Sequence, residues 1–179
     1  GLPLLFLQGF LLMGSFVTLF NYIGYRLMLS PWSLSQAVVG LLSVAYLTGT
    51  WSSPRAGAMT VRYGRGPVMI FFIAVMLCGL LLTLLSSLWL IFTGMLLFSA
   101  GFFAAHSVAS SWIGPRARRA RGQASSLYLY RSYLGSSIPG TLWGVFWHRF
   151  GSNAVGGCLE LIDRMSASLG RICVLCCRC

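Results

Sequence analysis

Few side chains in this sequence can do chemistry, and the most exposed to question is Arg131. It stands eight residues past Gln123 in an otherwise apolar stretch, which at helical rise places it about 12 Å into that stretch. Tyr128 and Gly135 fall on its helical face, and Tyr130 and Tyr133 are close by. A guanidinium is a planar fork of five N–H donors that fits carboxylates and phosphates. Flanked by phenols, it suits an anionic or polar small molecule, or a carboxylate brought from elsewhere. His106 lies among small and apolar residues; such an imidazole either bonds to a helix carbonyl or carries a proton. Asn21 and Tyr22, at the end of the first apolar run, suit the mouth of a cavity or an interfacial anchor. No acid precedes Glu160, and the methionines lack metal-ligand spacing. Catalysis needs paired acids, a Ser/His pair or a His-rich metal site. No catalytic residue, metal site or cofactor is therefore expected, and a membrane-embedded enzyme is the weakest of the functional readings.

The elements that position these residues are dictated by solvent. The chain has 179 residues, 57% of them hydrophobic and 8% charged, with a mean hydropathy of +0.80. A soluble domain carries roughly a quarter charged residues, so this polymer belongs in a bilayer. Thirteen arginines and no lysine face two acids, a net charge of +11. A basic balance also fits nucleic-acid binding, but there is no soluble domain to present a basic face, and nucleic acid is not an expected partner.

A spanning helix needs about 20 apolar residues, and five stretches qualify: Leu4 to Tyr25, Leu34 to Thr50 or as far as Ala58, Pro67 to Leu85, Leu88 to Ile113, and Ala124 to Trp147. Arg55, Arg62 and Arg65 lie between the second and third; Arg116, Arg118, Arg119 and Arg121 lie between the fourth and fifth. The opposite side holds only Arg26 and Arg149. Arginine is retained on the cytoplasmic side, so the two arginine-rich connections face the cytoplasm and the first span runs outward. Trp32, Trp89, Trp112, Trp143 and Trp147 fall near span ends, where an interfacial aromatic belt forms. Small residues recur in spans four and five, among them Gly94, Gly101, Gly135, Gly140 and Gly144. They let helix backbones approach in lipid. Pro139 is expected to kink the fifth span.

After the second span the chain reads Gly57-Ala-Met-Thr-Val-Arg62-Tyr-Gly64-Arg65-Gly66. This resembles the cytoplasmic loop signature of the major facilitator superfamily, with Gly57, Arg62, Gly64 and Arg65 matching in type and spacing. Val61 stands where the family has an acid, and Gly66 where it has a final basic residue. The resemblance covers residues 1–150. It implies an all-α integral membrane fold, with five transmembrane helices equivalent to helices seven to eleven of a twelve-helix bundle. The look is that of the bacterial drug- and sugar-efflux branch. Such transporters have two six-helix halves with the substrate site between them at mid-membrane. The implied function is alternating-access transport of a small solute across the bacterial inner membrane, with efflux as the direction the branch likeness implies. The implied partners are the lipid bilayer, the solute and a missing N-terminal half. The signature acts as a gate brace, in which arginines reach carbonyls or acids at neighbouring helix ends. Without an acid at 61, Arg62 and Arg65 need another partner, and both also satisfy the positive-inside rule.

The chain opens Gly1-Leu2-Pro3 with no initiator Met and no signal-peptide pattern, so a fragment lacking its N-terminal part is expected. Residues 151–179 read differently from the rest. Both acids and five of six cysteines fall there, and charges leave no spanning run. This tail reads as unselected sequence from a shifted frame. The alternatives are an interfacial helix and, from Cys173-Val-Leu-Cys176, a metal or redox site. The rival account of the whole chain is an inactive remnant of a disrupted transporter gene.

Overall fold

In a computed structural model the described residues are 2–117, 120–138, 164–165, 167–168 and 171. All regular structure among them is helical. Helix α1 is Leu2–Met28, α2 is Gln36–Gly40, a 3-10 stretch covers Leu41–Tyr46, and α3 is Leu47–Tyr63. Helix α4 is Arg65–Thr83 and α5 is Leu88–Arg116; α6 covers 121–138. Three of these helices, α1, α4 and α5, are each long and apolar enough to cross a membrane. These are the first, third and fourth of the expected spans; the second expected stretch is the continuous helical run of α2, the 3-10 stretch and α3, and α6 covers the first part of the fifth. The later part of the fifth span, with Pro139, Gly140, Trp143, Gly144 and Trp147, lies outside the described residues. So does nearly all of the 151–179 tail.

The second span departs from expectation in its length. The expected cytoplasmic loop is mostly helix: α3 runs through Tyr63, and only Gly64 separates it from α4. Pro54 does not stop the helix. No further breaker follows until Gly64, whose φ of 83° is a left-handed conformation open to glycine. Backbone groups in lipid must be satisfied within the segment. Around the 3-10 stretch hydroxyls assist: Thr48 Oγ1 donates to the Ala45 carbonyl at 2.6 Å and Thr50 Oγ1 to that of Leu47 at 2.7 Å.

Helix α5 is the hub. It packs against α1, the 3-10 stretch, α3 and α4. A Cβ placed on Gly94 would lie 2.7 Å from the Gly79 carbonyl oxygen, and one on Gly101 2.7 Å from that of Phe72. Helices α4 and α5 therefore touch backbone to backbone, which only glycine permits. Aromatic rings fill the junction of α1 and α5: Phe16 stacks on Phe102 with centroids 4.0 Å apart, and Phe20, Tyr46 and Phe103 surround the pair. Helix α6 joins through α1. A Cβ on Gly9 would run into the Tyr128 ring and Ser132 Oγ, while Gly135 abuts the Phe10 backbone.

Candidate cavity wall and gate

The buried side of α6 is Ala124, Tyr128, Ser132 and Gly135. Arg131 is exposed at its edge, between Tyr130 and Tyr133, which are 60% and 62% exposed. The structure thus separates Arg131 from Tyr128 and Gly135, which the spacing had placed on one face: the latter two are spent on packing against α1. Among the described residues Arg131 meets no acid. Exposed faces differ in kind. That of α4 includes Phe71, Ala74, Cys78 and Leu81, a stripe fit for hydrocarbon. That of α6 carries a guanidinium and two phenols, which hydrocarbon would penalise.

Tyr128 and His106 do come together, but inside the bundle. Their rings are 5.3 Å apart, Tyr128 is 1% exposed, and the Phe102 ring lies 5.5 Å from the imidazole. Neither the phenol oxygen nor His106 Nε2 has a hydrogen-bond partner among the described residues. Nearby Gln8, wholly buried on α1, leaves both amide atoms without a partner. Its significance was not legible in sequence, where a single Gln in an apolar helix carries no pattern. Ser132 is also buried, its hydroxyl donating to the Tyr128 carbonyl at 2.9 Å. Asn21 is exposed, whereas Tyr22 is buried, so adjacent residues at the outer end of α1 take opposite sides.

At the end expected to face the cytoplasm, Gly57 and Arg62 lie on α3, Gly64 is the break, and Arg65 opens α4. Gly57 is exposed with open space around it. The Arg62 guanidinium lies over the Tyr63 ring at 5.3 Å. Two neighbouring arginines do the same, Arg55 over Trp51 at 3.9 Å and Arg116 over Trp112 at 5.4 Å. Trp112 itself is buried, so its ring serves packing and cation contact together.

At the other end, Arg26 is the arginine among the described residues that falls on the side arginine disfavours, and the structure gives the reason. Its guanidinium donates to the carbonyls of Thr83, Leu84 and Leu85, the last at 3.1 Å. The final carbonyls of a helix have no partner within it, and they form the negative end of its dipole. Arg26 caps α4 from across the bundle, which counting charges by loop could not reveal.

An all-helical arrangement of the described residues, with three helices long and apolar enough to cross a membrane and a polar exposed face on α6, has the character of a multi-pass membrane protein, and comparison with known proteins agrees. The chain is 80% identical over 162 residues to the inner membrane transport protein YnfM of Escherichia coli strain K12, covering 90% of this chain and 39% of that protein. It is 46% identical over 146 residues to the uncharacterized MFS-type transporter YybF of Bacillus subtilis strain 168, covering 82% of this chain and 36% of that one. The crystal structure of the POT family transporter PepTSo superposes with a TM-score of 0.80 at 15% identity, over 96% of this chain and 36% of that one, a likeness of fold. No protein-family model matches. The chain belongs to the major facilitator superfamily and is a multi-pass protein of the inner membrane, spanning under two fifths of the length of the relatives named here.

Proposed function

We propose that this chain forms one wall of a solute pathway that works by alternating access, its counterpart being a second, N-terminal half of the kind found in facilitator-type transporters. The observation that carries this reading is the contrast between exposed faces: apolar on α4, but Arg131, Tyr130 and Tyr133 on α6. A charged side chain in a spanning helix faces a cavity or another polar surface. Arg131 is the residue we assign to solute recognition, with Asn21 at the mouth. Tyr128 and His106 support the wall from behind. Tyr22, being buried, supports the outer end of α1. Gly57, Arg62, Gly64 and Arg65 form the cytoplasmic gate segment, with Tyr63 in place of the absent acid as the local partner of Arg62. Residues 1–150 act as the half-bundle and 151–179 as an appendage. Outward transport is favoured by the efflux-like look of the sequence.

The test is transport in vesicles. The chain is reconstituted alone and together with the separately expressed first half of the Escherichia coli relative, and loss of a panel of radiolabelled anionic and neutral solutes is followed. The expected result is flux from the pair and none from the chain alone, with Arg131→Gln lowering flux of an accepted solute at least tenfold. Flux no greater than from empty vesicles in every case sinks this reading. It favours the inactive remnant, for which the aberrant composition of 151–179 is the supporting observation.

A further inference from the structure

Helix α1 packs on α5 at the Phe16–Phe102 stack and on α6 at Gly9, but has no substantial packing with α4. Its far end is nevertheless hydrogen-bonded to the end of α4 by Arg26, which donates to the carbonyls of Thr83, Leu84 and Leu85. These carbonyls belong to the last turn of α4 and the start of the short turn to α5. The link therefore ties α1 to the rigid α4–α5 hairpin whose glycines lock it backbone to backbone. Three hydrogen bonds on one guanidinium form or break together, because one rotation of the side chain removes them all. Interdigitated apolar packing cannot be released that way. The cost of putting arginine on the disfavoured side is offset by capping carbonyls that otherwise lack partners.

We propose that Arg26 is a latch: a positioning residue that holds the outer end of α1 against the α4–α5 hairpin and thereby sets how open the outer side of the bundle is. Asn21, exposed on the last turns of α1, reports on that opening. The inference uses the pathway reading above for its meaning, but its test needs no solute.

Asn21→Cys is introduced into the full chain with its six native cysteines replaced by serine, in nanodiscs, and reaction with a membrane-impermeant maleimide is timed. Adding Arg26→Gln is expected to raise the labelling rate at least threefold, since one amide cannot span three carbonyls. Arg26→Lys, a point charge without the planar fork, is expected to fall between. Retained helical circular dichroism and an intact thermal transition identify a folded variant. If Arg26→Gln does not fold, the Lys variant alone decides: a rate above the parent supports the latch. An unchanged rate in the folded variant overturns it. Failure here with flux intact removes the latch and leaves the solute pathway standing.

Discussion

Single residues in this protein are governed by what hydrocarbon does to unpaired polar groups. The Tyr128 hydroxyl is buried and makes no hydrogen bond among the described residues, and such a group costs about 1–3 kcal/mol. Tyr128→Phe keeps the ring against Gly9 and His106 and removes that cost, so thermal unfolding in detergent should show unchanged or increased stability, by about 1 kcal/mol. Gly64 behaves oppositely. At a φ of 83° any side chain is strained, so Gly64→Val should lower the unfolding temperature, with a cost of about 1–2 kcal/mol. At this scale the sequence was partly legible. Arg131 and His106 announced themselves as polar groups within apolar runs. Gln8 and Arg26 did not, because their meaning depends on which helix lies opposite.

Helices are set here by close approach rather than by burial from water, since lipid gives no hydrophobic drive for helices to associate. Gly79, Gly94 and Gly101 make the seam between α4 and α5. Gly101→Leu would drive four carbons into the Phe72 carbonyl and the Met76 backbone. It should separate the helices at a cost of at least ~3 kcal/mol, seen as loss of the cooperative thermal transition; Gly114→Leu, with open space around Gly114, should be neutral. Apolar length made the first, third and fourth spans readable to within a few residues. The cytoplasmic signature was misjudged as loop because motif spacing carries no conformation: seven of its ten residues continue α3.

The whole molecule is an oriented object. One end of the described bundle carries arginines laid on Trp51, Tyr63 and Trp112, expected to face the cytoplasm, and the other carries Arg26 bound to carbonyls. A reporter fused after Arg65 should be reachable only from the cytoplasm, and one inserted at Ser86 only from outside. Protease or alkaline phosphatase fusions in intact cells check both; the reverse pattern would invert the topology. The overall architecture was legible because composition leaves no other solvent and because arginine spacing repeats once per helical pair. The relation between exposed faces was not, since polarity along a sequence does not say which side of a helix its neighbours will cover.

The four-residue turn between α4 and α5, Leu84–Ser87, bears on how the chain is made. It holds no ionisable side chain, so during synthesis nothing charged has to cross with it. The two helices already fit along a glycine seam, and their connection is too short for them to part. They are therefore expected to insert together as a hairpin. In the expected orientation Arg26 crosses before the tip of that hairpin, to whose carbonyls it is bonded, has been synthesised.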